Sequence, residues 1–335
     1  MTLPTFDLAA FADPIGPGRE LPNDALAAAS AIDAALRDTG FLLVTGHGVE
    51  AAVRDRYFDA MRKFFALPIE QKEAIEIGKS DAHRGYVGMA GETLEGALAG
   101  GASAERVAGD LKEALDTGNE QGSDHPDVIA GTPLQGANQW PDLPGFRQAV
   151  EAYRSAVIGA AERMQRALAV ALGVDGEFFL DQPGEIMYHL RLLHYPPMDT
   201  VTPEPGQLGC GAHTDYGTVT LLADDGIGGL QVQQRSGVWI DVAVPPDHLV
   251  VNIGDLMAIW TNDRWVSNPH RVVNPAGVDR YSSPLFVTPP FHLRIETLST
   301  CLEPDEAPRH EPLVSGPYLL SRFDGTHSYR NPLLD

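Results

Sequence analysis

The triplet His213-Thr214-Asp215 offers an imidazole and a carboxylate two residues apart. On a strand, side chains at i and i+2 share a face, so both can reach one metal ion. A third ligand has to come from another element. His270, at the start of the run His270-Arg271-Val272-Val273-Asn274, is the candidate. Two imidazoles and one carboxylate on one face of an octahedron suit divalent iron and leave three coordination positions for other ligands. The same spacing recurs in His125-Pro126-Asp127, but the central proline and the Gly-rich surroundings predict a turn, and that pair is set aside. The remaining histidines (His47, His83, His189, His194, His248, His292, His310 and His327) read individually as surface or core residues. His194 stands apart from them because it adjoins Tyr195.

Ten residues after His270 comes Arg280-Tyr281-Ser282. Period two places Arg280 and Ser282 on one face. An arginine pointing into a barrel is costly unless an anion meets it. Its fork matches a carboxylate at two points, and Ser282 adds one more hydrogen bond. A dicarboxylate with a 2-oxo acid at one end meets both requirements: that end chelates the metal and the far carboxylate reaches Arg280. Tyr195, in the strand-like run Arg191-Leu192-Leu193-His194-Tyr195 that stops at Pro196-Pro197, can add a hydroxyl to the same anion.

Positioning these groups takes a β-rich framework, and the sequence supplies one. From about Ile186 short runs rich in β-branched and aromatic residues are divided by Gly, Pro, Asn and Asp: Ile186–Tyr195, Thr218–Ala223, Gly229–Gln234, Val238–Val244, Leu249–Ile253, Leu256–Thr261, His270–Asn274, Ser282–Thr288 and His292–Leu298. Strands at this spacing predict a double-layer jelly roll. The N-terminal half reads helical over Asp24–Thr39 and about Ala51–Ala66. A further helix spans residues 144–173, where Val150, Tyr153, Val157, Ala160, Ala161, Met164, Leu168 and Leu172 recur at steps of three and four. Residues 78–136 read as a long loop region with a short helix near Leu94, a candidate binding loop. Helices followed by strands predict an α+β chain with the helices packed on one sheet.

Composition narrows the function classes. The 335 residues are 43% hydrophobic, enough for a sizeable core, and carry a net charge of -22. So acidic a surface repels phosphate backbones and anionic membranes, so neither nucleic acid nor a membrane is an expected partner. Two separated cysteines, Cys210 and Cys301, make no disulfide framework; the opening stretch lacks a basic n-region, and a cytoplasmic protein is expected.

Taken together these residues resemble the isopenicillin N synthase-like branch of the iron(II)/2-oxoglutarate-dependent dioxygenases. The resemblance is carried by His213-Thr214-Asp215, Gly229-Leu230-Gln231-Val232, Val250-Val251-Asn252-Ile253-Gly254-Asp255, Asn268-Pro269-His270-Arg271-Val272 and Arg280-Tyr281-Ser282. Thr39-Gly40-Phe41-Leu42-Leu43-Val44, His47-Gly48-Val49, Phe64-Phe65-Ala66-Leu67-Pro68 and Asp110-Leu111-Lys112-Glu113 extend it through the N-terminal half. It implies one oxygenase domain over residues 1–335, with 1–180 mostly helical and 181–335 forming a double-stranded β-helix. It implies Fe(II) on His213, Asp215 and His270, 2-oxoglutarate held by Arg280, Ser282 and Tyr195, and O2 as oxidant. Many members carry Asn two residues before that tyrosine; this chain has Leu193.

The expected reaction oxidises a C–H bond of a small organic molecule and releases succinate and CO2. The alternative is an oxidase or cyclase of the isopenicillin N synthase type, which uses O2 without 2-oxoglutarate. A hydrolytic zinc site would leave the buried arginine without a partner, and a non-enzymatic module would have no use for an intact ligand set. Phe286, where relatives often have an aromatic packing on substrate, Arg84, Arg322 and His194 are the expected substrate contacts. Substrate identity and oligomeric state are not written in the sequence.

Overall fold

The computed structural model describes residues 3–16, 18–94, 108–274, 277–327 and 329–330. Among these, twelve strands form two sheets: β1 (Thr5–Asp7), β2 (Phe41–Thr45), β3 (Gly85–Val87), β4 (Glu113–Thr117), β5 (Met187–Tyr195), β6 (Cys210–His213), β7 (Val219–Asp224), β8 (Leu230–Gln233), β9 (Trp239–Asp241), β10 (Leu249–Ile253), β11 (His270–Val272) and β12 (Arg280–Thr288). The larger has eight strands in the order β1-β2-β10-β7-β12-β5-β4-β3, and the smaller has four in the order β6-β11-β8-β9. The helices are α1 (Asn23–Asp38), α2 (Ala51–Phe65), α3 (Ile69–Glu73), α4 (Pro126–Ile129), α5 (Phe146–Leu172), α6 (Asp255–Trp260) and α7 (Ser315–Asp324).

The central strands of the large sheet are buried on both faces, and their alternation separates two cores. Leu42, Val44, Leu190, Leu192, Leu221, Val251 and Leu285 pack with apolar residues of α1, α2 and α5. Their neighbours on the opposite face, Phe41, Leu43 and Val250, pack instead with Leu230 and Val232 of β8. Leu193 and Tyr195 of β5 likewise cluster with Cys210 and Val272 of the small sheet. The inner face of the large sheet and the small sheet therefore enclose the site, and the helices buttress the outer face. This is the expected α+β jelly roll. Helix α5 runs 27 residues and ends at Gly173, whose φ of 69° lets its N–H reach Ala169 O and Val170 O. Tyr57 and Tyr153 stack at 4.0 Å, locking α2 to α5.

Three expectations change. Leu256–Thr261 is not a strand; α6 occupies it, because a short buried apolar run has no period that separates helix from strand. His292–Leu298 contributes only the pair Arg294–Ile295, which bonds to Leu313–Val314. Residues 78–136 are not all loop: β3 and β4 extend the large sheet next to β5. All five residues of β4 are buried, and its charged members are paired inside the protein, so the strand shows no apolar-polar alternation. The helix expected near Leu94 falls largely on residues outside the described ones. His125 caps α4 rather than joining a metal group; the turn expected there is a short helix that opens on Pro126, a residue suited to a first helical position.

Candidate metal centre and its two chambers

Strand β6 ends at His213, and Asp215 lies just beyond it, so the pair is not held by strand alternation as expected. Asp215 is fixed instead by the turn into α6: its carbonyl accepts the Asp255 N–H at 2.8 Å. Gly254 permits this close passage, because a Cβ there would lie 2.4 Å from Gly217 O and 3.0 Å from Asp215 O. His270 reaches the pair by register. Strand β11 runs antiparallel to β6 with His270 opposite His213, and the two rings sit 4.3 Å apart.

The three side chains converge, with candidate ligand atoms all within 4.8 Å of one another. Asp215 Oδ1 is 3.7 Å from His213 Nε2 and 3.6 Å from His270 Nε2. Each side chain also spends its other polar atom on the protein. His213 Nδ1 donates to Gly211 O at 2.8 Å and His270 Nδ1 to Asn268 O at 3.2 Å, which turns both Nε2 lone pairs toward the carboxylate. Asp215 Oδ2 accepts from Thr220 and, at 2.6 Å, from Asn252, leaving Oδ1 to face the two rings. Burial, then the adjacent His213, pushes His270 down to about 4. Burial raises Asp215, but the two rings and its hydrogen bonds outweigh it and hold the carboxyl below its usual range. His270 and Asp215 are therefore unprotonated at neutral pH, the state a divalent cation needs. The donor set fits Fe(II).

Arg280, Ser282 and Tyr195 also come together. Arg280 is fully buried, and its Nε donates to Gly228 O and its Nη1 to Ser282 Oγ at 3.1 Å. Its Nη2 has no partner among the described residues. The guanidinium carbon lies 4.8 Å from the centre of the Tyr195 ring. Burial pushes the Tyr195 hydroxyl up to about 12, so it stays a donor. A buried guanidinium with one edge unmet is a place for a carboxylate. Leu193 forms an apolar part of the same wall, opposite Ser282 across the strand pair.

Two connected chambers open from the metal centre. One is lined by Arg280, Ser282, Tyr195 and Leu193. The other is lined by Phe286, His189, Tyr216, Leu319 and Phe323. They share Leu94, Arg191, His213, Asp215 and Phe286, so two of the three candidate ligands stand at the junction, and His270 lines the first chamber.

The remaining sequence candidates part company. Phe286 lines both chambers. Arg84 lines the second, but its guanidinium donates to the carbonyls of Ala82, His83 and Leu134. It packs where a Cβ on residue 118 would stand, so only Gly118 admits it. Arg322 lies over the Tyr216 ring at 4.8 Å and lines neither chamber. His194 faces the other way, bonded to Glu113 at 2.7 Å and Asp279 at 2.8 Å. Period two on β5 explains this: Tyr195, Leu193, Arg191 and His189 share the inner face, and His194 belongs to the outer one.

That parity is the available signal for His189 and Arg191, which the sequence reading misses. Arg191 is buried and pairs with Glu92 at 2.9 Å and Asp116 at 2.7 Å. Lys112, also buried, pairs with Glu92 at 2.9 Å and with Asp110. Asp110 in turn accepts the Gly211 N–H at 2.9 Å, bracing the residue whose carbonyl orients His213. Asn252 and Thr220, which hold the Asp215 carboxylate, are missed as well, although Asn252 is a lone polar residue in an apolar strand. A second group, His83, Asp116 and His327, also falls within 4.8 Å. Both Asp116 oxygens bond to Arg191, and a cation there would meet the guanidinium.

This network makes the fold acid-sensitive. Burial holds His83, His189 and His327 below the ordinary value of about 6.5, His327 at about 4. Below that value the unfolded chain takes up protons that the folded chain refuses, so stability falls as pH falls from 6.5 toward 4. The loss is at most about 1.4 kcal/mol per histidine per pH unit. Calorimetry of the chelator-treated protein should give a lower Tm at pH 5.5 than at pH 7.5; an equal or higher one contradicts the burial of neutral histidines.

Comparison with known proteins agrees with this geometry. Residues 3–143 match the family described as non-haem dioxygenase in morphine synthesis N-terminal, and residues 187–289 match the 2OG-Fe(II) oxygenase superfamily. A 2-oxoglutarate-Fe(II) type oxidoreductase of Emericella nidulans is 37% identical over 307 residues, covering 88% of this chain and 85% of that one. A homoarginine-6-hydroxylase of Glycine max is 34% identical over 275 residues, covering 80% of each. The crystal structure of a full-length Neurospora crassa protein in complex with alpha-KG and thymine superimposes with a TM-score of 0.77 at 31% identity, covering 96% of both chains. The 2-oxoglutarate in such relatives supports the cosubstrate-dependent reading over the cosubstrate-free one. Among the described residues no helix is long and apolar enough to cross a membrane. The chain belongs to the 2OG-Fe(II) oxygenase superfamily and is an iron(II)- and 2-oxoglutarate-dependent dioxygenase that oxidises a small organic molecule with O2.

Proposed function

We propose that His213, Asp215 and His270 hold the iron, that Arg280 with Ser282 and Tyr195 holds the far carboxylate of 2-oxoglutarate, and that the Phe286 chamber holds a substrate for hydroxylation. The observation that carries this is the unmet Nη2 of the buried Arg280, in a chamber that ends on the three candidate ligands. Bound iron, 2-oxoglutarate and O2 supply the C–H oxidation, with succinate and CO2 released. The protein's part is placement. Gly211 O and Asn268 O keep both imidazole Nε2 atoms turned inward, and Asn252 and Thr220 keep one carboxylate oxygen of Asp215 available. The apolar walls of the second chamber keep a substrate C–H bond beside the metal and keep bulk water out.

Anaerobic mixing of protein, Fe(II) and 2-oxoglutarate should raise the visible charge-transfer band of the chelate. Its absence while substrate oxidation persists would overturn the cosubstrate assignment. Asn252→Ala frees Asp215 Oδ2 from its amide partner. Iron affinity should drop roughly 10- to 100-fold with the fold intact, as read by metal titration; an unchanged affinity would remove Asn252 from the support of the site. The two cysteines, Cys210 and Cys301, are both free, and a reducing cytoplasm is the location we propose. The relatives' thymine and homoarginine are both small molecules, which supports a small-molecule substrate here.

A further inference from the structure

Strands β5 and β12 are paired with His189 opposite Phe286. Both project into the second chamber. The His189 ring is fixed by one strong hydrogen bond: Nε2 lies 3.0 Å from Asp116 Oδ1. Asp116 is held ionised because, against burial, Arg191 and His189 favour its charge. A carboxylate only accepts, so Nε2 carries the proton and Nδ1 presents a lone pair. No described residue donates to Nδ1, and the side chain keeps 15% exposure in a chamber walled largely by apolar groups. An acceptor is therefore fixed in the wall with nothing to receive from.

The surroundings narrow what meets it. The Phe286 ring stands 6.1 Å from the His189 ring and the Phe323 ring 6.4 Å from it, a setting for a flat ring. The cations around it are already engaged: Arg191 pairs with Glu92 and Asp116, Lys112 with Glu92 and Asp110, and the Arg84 Nη atoms donate to the carbonyls of Ala82, His83 and Leu134. An anionic or cationic substrate would unbalance that set at low dielectric.

We infer that His189 is the specificity-determining acceptor of the substrate chamber, and that the substrate is a neutral planar ring with an N–H donor, as in a lactam or imide. The inference rests on the chamber assignment proposed above. Arg191 and Asp116 act through His189 as positioning residues, since they fix which nitrogen carries the proton.

The test uses the anaerobic Fe(II)–2-oxoglutarate holoenzyme. Uracil and 2-pyridone are the N–H probes, 1,3-dimethyluracil and N-methyl-2-pyridone their blocked forms, and thymine the control for a methyl placed on carbon. Benzoate is the anionic ring. Affinities come from calorimetry and from the change each probe makes in the visible charge-transfer band. The N–H probes and thymine should bind, and the N-methylated forms should bind about 10-fold more weakly or worse. His189→Phe keeps the volume and removes the acceptor. It should weaken the N–H probes by about 10-fold and leave 2-oxoglutarate affinity within about twofold. His189→Asn restores an acceptor near Nδ1 and should recover most of that loss. Should His189→Phe fail to fold, the comparison of N–H with N-methyl probes on the unaltered enzyme decides alone. Equal binding of the blocked forms, tighter binding of benzoate, or no binding of any N–H probe overturns the inference. A charge-transfer band that forms normally in those cases leaves the iron and cosubstrate assignment standing. A missing band with N–H-selective calorimetric binding strikes the assignment and spares the role of His189.

Discussion

His270→Ala should abolish iron-dependent turnover. Removing a partner that merely orients a ligand costs about 10- to 100-fold in metal affinity or activity, so removing a ligand itself should exceed that. The geometry leaves no substitute. His270 closes one side of the Asp215 carboxylate at 3.6 Å, and the ring also packs edge-on to Phe41 at 5.4 Å. Alanine would leave a gap bordered by an aromatic, with no donor atom in place of the lost imidazole. Succinate formation from 2-oxoglutarate, with and without substrate, is the measurement. Retention of the normal rate would remove His270 from the ligand set. His270→Gln, closer in volume, separates ligation from packing: if the loss comes from ligation, it should be as inactive as alanine while melting closer to the unaltered protein.

Arg280→Met should raise the KM for 2-oxoglutarate steeply and leave iron binding nearly untouched. Truncating one member of a buried, hydrogen-bonded charge pair costs about 2–5 kcal/mol, which is roughly 30- to several thousand-fold in affinity. The arginine is fully buried with one nitrogen unmet, and the neighbouring Asp224, raised above its usual range by burial, offers no contact within salt-bridge distance. Methionine fills much of the space without a donor, so the protein should fold. Arg280→Lys should recover little, because an ammonium lacks the planar two-point fork. Kinetics in 2-oxoglutarate at saturating iron make the check; an unchanged KM would move the cosubstrate's far end elsewhere.

The convergence of His213, Asp215 and His270 is legible in the sequence through the resemblance rather than the spacing, since His125 and Asp127 share the spacing and Asp215 lies beyond the end of β6. Arg280 and Ser282 are legible for the same reason, helped by their place after His270. The architecture follows from the punctuated β-rich runs. Elsewhere the signal is absent or sits on the other face of a strand. Strand β4 is buried with Glu113 and Asp116 inside it, and only partners distant in sequence, Lys72, His194 and Arg191, make those charges tolerable. No local pattern announces such pairing. Helix α6 reads as a strand because its six residues are too few to display a period. His194 draws notice over His189 through adjacency to Tyr195, although counting by twos from that tyrosine leads to His189. Arg84 draws notice as a cation within a loop-like stretch, and its carbonyl partners become visible only when Leu134 folds back on it.

Strand β12 carries Arg280 at one end and Phe286 six residues on, both on the inner face. At about 3.3 Å per residue the backbone itself sets roughly 20 Å between Arg280, the proposed anchor of one reactant, and Phe286, the proposed wall for the other. That interval is a covalent ruler, indifferent to how the side chains around it are exchanged. Sequence change can reshape the far walls, such as Leu319 or Phe323 on α7, and redirect the enzyme to new molecules without disturbing its use of the diacid. A single insertion inside β12 would turn every residue after it to the wrong side, so lineages of this enzyme should vary in the lining while keeping the length of this strand fixed.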